Sequence, residues 1–245
     1  MGSGTAVPDL QRNSAGYLLE QGTARFLIDC GYGNVHQLLR LGITYREIDC
    51  IFLTHHHPDH MCDLIYFLFA SKYPLEPRTR DLTLIAGPGF TAYFENLQAA
   101  FNRWLTPETY QIHIVEMDEE TREFEGLAVT SRKVKHIDMS RGFRFSNGEG
   151  LSMAFSGDSD YCQGLVELGR RADLLVLECS TPDDLKVEGH LSPQLCGRIA
   201  RETKCKNLLL SHFYPPCDMP EVLRVCRQGY DGNIILSKDL TTFEL

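Results

Sequence analysis

The stretch Thr54-His55-His56-His57-Pro58-Asp59-His60 comes at the end of a predicted strand, residues 50–54, and before a predicted helix, residues 61–72. Neutral imidazole and ionised carboxylate are ligands for Zn²⁺ and related first-row metal ions. A loop at this point can turn four side chains inward while His56 points elsewhere: His55, His57, Asp59 and His60. Because four such ligands crowd a single tetrahedral ion, the pattern favours two adjacent ions over one.

Three more residues of metal-binding types each stand at the end of a predicted strand elsewhere in the chain: His136, Asp158 and His212. Strand ends in a layered α/β protein gather where the loops form a site, so we expect these residues beside the stretch at 54–60. One histidine at a strand end is commonly structural. Three such residues together with that stretch make metal ligation the favoured interpretation.

His190 lies in a glycine-containing loop before a predicted helix at residues 192–202, with Ser192 as the predicted N-cap and Pro193 as the first helical residue. Taken alone, His190 fits a loop histidine as well as a catalytic one. The other histidines match no motif, and we assign them to the surface or the core: His36, His56 and His113.

Apolar periodicity and turn residues divide the rest of the chain into short elements. Strands are predicted at residues 16–19, 24–28, 50–54, 82–85, 111–117, 127–134, 142–145, 151–155, 173–178, 207–211 and 233–237. Helices are predicted at residues 34–41, 61–72, 89–105, 162–171, 192–202 and 219–228. This order predicts two sheets with helices outside them. No linker, charge block or repeat interrupts it, so we expect one domain over residues 1–245.

The net charge, the apolar runs and the cysteines of the chain limit what it can bind and where it can be located. The formal net charge is −9, which argues against nonspecific binding to phosphate backbones. No apolar run approaches the ~18 residues that a membrane span needs, and no signal peptide precedes the fold, so we expect no membrane association. The cysteines number nine, without a C-x-x-C pair, which indicates free thiols and a cytoplasmic location.

Several motifs together resemble the ribonuclease Z-like branch of the metallo-β-lactamase superfamily over nearly the whole chain. The stretch at residues 54–60 resembles the signature loop of the superfamily, and His190 resembles the extra catalytic histidine of the branch. The other matching segments are Gly2–Pro8 with Arg12-Asn13, Leu27–Gly31, Ser156–Asp158, Leu177–Ser180, Gly189–Ser192 and Leu210–Tyr214.

The resemblance implies an α/β fold, specifically a four-layer αββα sandwich, with two divalent metal ions at one edge of its sheets. Zn²⁺ is the favoured metal, and manganese and iron stay open as alternatives. One ion would be held by His55, His57 and His136, and the other by Asp59, His60 and His212. Asp158 would bridge the two ions, and Asp29 would orient a ligand histidine from behind.

This ligand set predicts a hydrolase that acts on a small phosphodiester, with Asp59 and Asp158 holding the ions and His190 as general acid. Two ions ~3.5–4 Å apart can activate a shared water and clamp both oxygens of an in-line displacement. Alternatives left open are a thioester or lactone hydrolase and ribonuclease Z-type RNA processing. A diiron oxidoreductase and a non-catalytic metal-binding protein are less favoured.

The expected partner is a small anionic substrate, and a homodimer stays open. Members of the branch that process transfer RNA carry a long substrate-grasping arm between the third histidine ligand and the bridging aspartate. Here the interval from His136 to Asp158 has room for two strands and little else. With the acidic net charge, this predicts that transfer RNA is not the substrate.

Overall fold

Two β-sheets pack face to face, and three helices cover the outer side of each sheet. The computed structural model describes residues 1–245. The strands are β1 Tyr17–Gln21, β2 Ala24–Ile28, β3 Cys50–Leu53, β4 Leu82–Ala86, β5 Ile112–Glu116, β6 Thr121–Phe124, β7 Leu127–Lys133, β8 Arg141–Ser146, β9 Ser152–Phe155, β10 Leu174–Glu178, β11 Asn207–Ser211 and β12 Asn233–Leu236. The helices are α1 Asn34–Arg40, α2 Pro58–Ala70, α3 Phe90–Phe101, α4 Gln163–Gly169, α5 Pro193–Thr203 and α6 Met219–Gly229. The expected αββα sandwich is confirmed.

Each sheet contains a run of four parallel strands that extends to one of its edges. The first sheet has the order β1-β2-β3-β4-β5, and all its pairs except β1–β2 are parallel. The second has the order β12-β11-β10-β9-β8-β7-β6, with β9 to β12 parallel and β6 to β9 antiparallel. Parallel strands end at the same edge of a sheet, and this edge is where open α/β sheets form their sites.

Alternation along β3 shows how the layers are held together. Phe52 points between the sheets, where its ring meets Phe143 at 5.3 Å and Phe145 at 4.9 Å between centroids. Ile51 and Leu53 point to the opposite side and pack under the helices α1 to α3. A strand that is buried on both faces reads as a continuous apolar run, which is why residues 50–53 lack a polar alternation.

Helix α2 begins earlier than the sequence predicts. Pro58 takes the first helical position, where its fixed φ and its missing N–H cost nothing. Asp59 and His60 therefore lie in the first turn of α2, not in the preceding loop. The helix fixes the direction in which these two side chains leave the backbone.

Other differences are local. Strand β6 was not predicted, because its residues are mostly exposed and show no apolar alternation. The predicted helix at 89–105 is divided into α3 and a 3₁₀ turn at Asn102–Leu105. Ser192 precedes α5 as predicted, but its side chain makes no capping bond, and it donates to Asp183 instead.

None of the six helices combines the length and the apolar content needed to span a membrane.

Candidate metal centre

The residues selected from the sequence meet at one edge of the sandwich. Asp29 and His55 follow β2 and β3 in the first sheet. Asp158 and His212 follow β9 and β11 in the second, and His136 lies shortly after β7. The strands that precede them all run toward the same edge, so the topology concentrates these side chains in one cluster.

The first group of possible ligands combines His55, His57, His136 and Asp158. One ligand atom from each of these residues lies within 4.8 Å of the others. Nε2 of His136 is 3.1 Å from Nδ1 of His57. His55 is fully buried, whereas His57 and His136 are partly exposed, so this group lies toward the open side of the cluster.

The second group combines Asp59, His60 and His212, all three buried. Nε2 of His60 and Nε2 of His212 face each other at 3.2 Å. Oδ2 of Asp59 lies 3.3 Å from Nε2 of His212 and 3.7 Å from Nε2 of His60. These distances place three potential ligand atoms around a single small volume.

The carboxylate of Asp158 stands between the two groups. Its Oδ1 is 3.2 Å from Nε2 of His60 and 3.4 Å from Nε2 of His212. Its Oδ2 is 3.8 Å from Nε2 of His55, in the other group. One oxygen therefore faces each group, which is the geometry that a bridging ligand requires.

Two buried polar atoms in the cluster have no hydrogen-bond partner: Nε2 of His55 and Oδ1 of Asp158. Buried polar atoms without a partner are rare in proteins, and a metal ion is one of the groups that satisfies them. The donor set of imidazoles and carboxylates fits first-row divalent ions. The residues of this cluster thus fit the metal ions that the sequence predicts.

Electrostatics agree with this fit. Burial lowers the pKa of His55 well below its ordinary value, and it also lowers the pKa values of His57 and His136. Burial lowers the pKa of His60 too, but the carboxylates of Asp158 and Asp29 outweigh it and raise that pKa well above the ordinary value. The three histidines of the first group are therefore neutral, the form that binds a metal ion, whereas the carboxylates around His60 favour a positive charge there.

Asp29 holds the second group from behind. Its Oδ2 accepts a hydrogen bond from Nδ1 of His60 at 2.8 Å, and its Oδ1 accepts one from the backbone N–H of Thr54 at 2.8 Å. The hydroxyl of Thr54 donates to Oδ2 of Asp29 at 2.9 Å and lies 3.1 Å from Nδ1 of His55. Gly157 packs against Thr54 so closely that an added Cβ would lie 2.5 Å from Cβ of Thr54.

Outer partners also fix two ligand histidines of the second sheet. Nδ1 of His136 donates to the carbonyl oxygen of Gly189 at 2.9 Å. Nδ1 of His212 lies 3.1 Å from the hydroxyl of Ser180, which itself donates to Glu178. In each case the bond at Nδ1 leaves Nε2 free to face the cluster, as in metal sites generally. Sequence reasoning gave no role to Ser180 or to the Gly189 carbonyl.

His190 borders the same cluster and is paired with a buried glutamate. Its Nδ1 lies 3.0 Å from Oε1 of Glu178 and 3.8 Å from Oδ2 of Asp158. Burial lowers the pKa of His190, but the hydrogen bond and charge of Glu178 outweigh it, so the pKa is raised overall. Glu178 was given no role from the sequence. Its signal was a carboxylate at the end of the apolar strand β10, the same kind of signal that identified Asp158.

The remaining histidines lie outside the two groups. His56 contacts Tyr93 and Met139, and His36 stacks on Tyr66 at 5.9 Å between centroids. His113 is exposed, with its Nε2 3.5 Å from Oδ2 of Asp81.

Comparison with known proteins identifies the family of this chain. A family model described as a beta-lactamase superfamily domain matches residues 24–213, which is well over half of the chain and includes every ligand candidate. The chain belongs to the metallo-β-lactamase superfamily. Within the superfamily it lies in the ribonuclease Z-like branch. Ribonuclease Z of Archaeoglobus fulgidus is 24% identical over 302 aligned positions, covering 100% of this chain and 96% of that protein. An uncharacterised protein of Mycobacterium tuberculosis is 30% identical, covering 95% and 86%.

Solved structures of the superfamily show the same fold. The metallo-β-lactamase fold protein YhfI of Bacillus subtilis has a TM-score of 0.85 at 22% identity, with 97% of this chain and 94% of that chain covered. Human tRNase Z, short form, has a TM-score of 0.77 at 23% identity, with 99% and 96% covered. A diphosphatase from the PhnP family has a TM-score of 0.77 at 23% identity, with 100% and 96% covered. Family membership and the ligand clusters support a metal-dependent hydrolase.

Proposed function

We propose that this protein is a dinuclear metal-dependent hydrolase of a small phosphodiester. The observation that carries the proposal is the position of Asp158, with one carboxylate oxygen facing each ligand group. His55, His57 and His136 would hold one ion, Asp59, His60 and His212 the other, and Asp158 would bridge them. Zn²⁺ is the metal that we expect first for these ligands, with manganese and iron as alternatives.

When bound, the two ions would supply a nucleophile at neutral pH and charge stabilisation for the phosphoryl oxygens. The protein's own part is to fix the donor atoms through Asp29, Ser180 and the Gly189 carbonyl, so that little reorganisation is needed during the reaction. The negative charges of Asp59 and Asp158, both buried, would offset the charge of the cations there.

His190 would act as the general acid. Glu178 accepts a hydrogen bond from its Nδ1, which fixes the ring and leaves Nε2 to carry the proton for the leaving oxygen. The nitrogen of His190 that approaches Asp158, at 3.8 Å from its Oδ2, is Nδ1, so the ring as a whole borders the reacting volume. An alkoxide is a poor leaving group, and its expulsion gains most from such an acid. This favours phosphodiesters over thioesters.

The names of several relatives support phosphorus chemistry. The curated relatives include ribonucleases Z, and the structural neighbours include a diphosphatase and yeast PDE1. These proteins share the fold of this chain, and we propose that this chain also hydrolyses a phosphorus–oxygen bond.

We further propose that the substrate is small and anionic, and that it is not transfer RNA. Between His136 and Asp158 the chain forms the hairpin of β8 and β9 and no extended arm. The alignment with the archaeal ribonuclease Z spans 302 positions against the 245 residues of this chain, so it contains positions with no counterpart here. The formal charge of −9 also disfavours a long polyanion.

The experiment compares leaving groups. In His190→Ala, hydrolysis of an alkyl phosphodiester should slow by roughly 10²–10⁴-fold, because the leaving alkoxide loses its proton donor. A p-nitrophenyl phosphodiester, whose leaving group departs without protonation, should lose much less. Glu178→Gln should show the same contrast between the two substrates with a smaller loss of rate. His190 keeps its imidazole in this variant, but its Nδ1 loses the charged acceptor that raises its pKa.

The control is His113→Ala, which removes an exposed imidazole that also lies beside a carboxylate but far from the cluster. It should leave both rates unchanged. Equal losses on both substrates in His190→Ala would contradict the general-acid role. Loss of metal from this variant would show that His190 is a ligand. Hydrolysis of thioesters or lactones in preference to both phosphodiesters would contradict the proposed substrate class.

A further inference from the structure

A buried carboxylate next to the metal cluster has a set of contacts that ligand binding does not explain. Asp160 lies two residues beyond Asp158 and is 8% exposed. Its Oδ1 accepts a hydrogen bond from the backbone N–H of Tyr161 at 2.8 Å. Its Oδ2 accepts one from Nζ of Lys186 at 2.9 Å and lies 3.4 Å from the backbone N of Gly189. Asp160 is absent from both ligand groups.

These contacts join the segment that bears Asp158 to the loop that bears His190. Lys186 precedes His190 in that loop, and its ammonium also lies 3.3 Å from the carbonyl oxygen of Val187. Nζ of Lys186 and Oδ2 of Asp160 form an ion pair at 2.9 Å. The ion pair therefore closes the loop onto the end of β9.

The loop in turn touches a ligand histidine. The carbonyl oxygen of Gly189 accepts the hydrogen bond from Nδ1 of His136. Gly189 has φ +85°, and a Cβ at this position would lie 3.1 Å from Nδ1 of His136. Its amide faces Asp160 while its carbonyl faces His136, so one peptide segment links the ion pair to the ligand.

A third segment, the one that carries His136, also contacts Asp160. The backbone N–H of Asp160 donates to the carbonyl oxygen of Lys135 at 2.7 Å, in an isolated antiparallel bridge. Lys135 directly precedes His136, and its own ammonium approaches Oδ2 of Asp160 at 3.8 Å. Three segments that carry His136, Asp158 and His190 thus meet at Asp160.

We propose that Asp160 and Lys186 form a clasp that positions the Gly189 carbonyl, and through it His136, while seating His190 at the cluster. The two residues are positioning residues, since neither lies among the ligand groups. The part that concerns His190 rests on the proposed function, whereas the part that concerns His136 depends on metal binding alone. Without the ammonium of Lys186, the buried carboxylate of Asp160 keeps only the ammonium of Lys135, 3.8 Å away, so the loop should loosen and not merely lose one contact.

The test measures Zn²⁺ binding and backbone exchange, without a substrate. Lys186→Met removes the ammonium and keeps the aliphatic chain, and Asp160→Asn removes the charge and keeps the shape. Each variant should weaken one of the two Zn²⁺ binding steps by roughly 10–100-fold, the range found when outer partners of metal ligands are replaced. A competition titration with a chromophoric chelator measures this. Hydrogen exchange at the amides of residues 187–190 should become faster.

The chain offers a matched control. Lys206 pairs with the buried Asp173 at 2.6 Å, and Asp173 also accepts a bond from the backbone N–H of Ser152, as Asp160 does from Tyr161. This pair lies at the opposite ends of the strands β9 to β11. Lys206→Met should leave Zn²⁺ binding and exchange at 187–190 unchanged. Lys186→Arg keeps a cation and should bind Zn²⁺ as the unaltered protein does.

Two results would overturn the clasp: Zn²⁺ affinity in Lys186→Met and Asp160→Asn equal to that of the control, or exchange at 187–190 unchanged in both. If the unaltered protein takes up no Zn²⁺, the proposed function fails, and the exchange comparison still decides the clasp. Faster exchange confined to residues 187–190 would then support it.

Discussion

Asp29→Asn replaces one carboxylate oxygen with an NH₂ group, and the contacts of the two oxygens show what this should do to metal binding. Oδ1 of Asp29 accepts from the backbone N–H of Thr54, and an asparagine oxygen can do the same. Oδ2 accepts from Nδ1 of His60 and from the hydroxyl of Thr54. In the variant an NH₂ group replaces Oδ2 and faces these two donors.

Because an NH₂ group cannot accept a hydrogen bond from Nδ1 of His60, the imidazole can avoid the clash of two donors by carrying its proton on Nε2 instead of Nδ1. Nε2 is the nitrogen that faces His212 and Asp158, and once protonated it cannot ligate. One of the two ions should therefore bind roughly 10–100-fold more weakly, which corresponds to about 1.4–2.7 kcal/mol. The ion at the group of His55, His57 and His136 should be affected less.

A chelator-competition titration with Zn²⁺ measures both binding steps. Asp173→Asn is the control, because Asp173 is also buried and also accepts a backbone N–H, but lies away from the cluster. Both variants should lose stability, since each places an amide where a carboxylate was. If Asp29→Asn folds and binds both ions as tightly as the control, the outer role of Asp29 is wrong.

Two more predictions concern the cluster and the substrate. Asp158→Ala should lower the occupancy of both metal positions in elemental analysis, because its two oxygens face different ligand groups; retention of one ion at full occupancy would contradict bridging. Precursor transfer RNA should be cleaved negligibly at ordinary salt in a 3′-end processing assay, since the chain has no arm between His136 and Asp158; efficient processing would show that this interval does not exclude the substrate.

Much of the fold was predictable, because most elements are buried and therefore carry clear apolar periodicity. The run at residues 50–53 and the alternation of strands and helices after residue 162 are examples. Strand β6 was missed because an exposed four-residue strand has no apolar period. The start of α2 was placed too late because polar ligand residues interrupt the helical pattern in its first turn.

The candidate ligands were predictable for a different reason. They are residues of distinctive chemistry at the ends of apolar strands, and parallel topology brings such ends together. The partners that hold them were not predictable in the same way. The Gly189 carbonyl has no side-chain identity, and the pair of Asp160 and Lys186 joins residues 26 positions apart that only the folded loop brings to 2.9 Å. Glu178 carries the same signal as Asp158, because it is a carboxylate at the end of an apolar strand.

The metal content of the purified, reconstituted protein tests the central claim most directly. Elemental mass spectrometry on the unaltered chain should find close to two first-row ions per molecule, because the two ligand groups share Asp158 and each has its own set of free donor atoms. A saturating content of one ion or fewer per chain would contradict the dinuclear account.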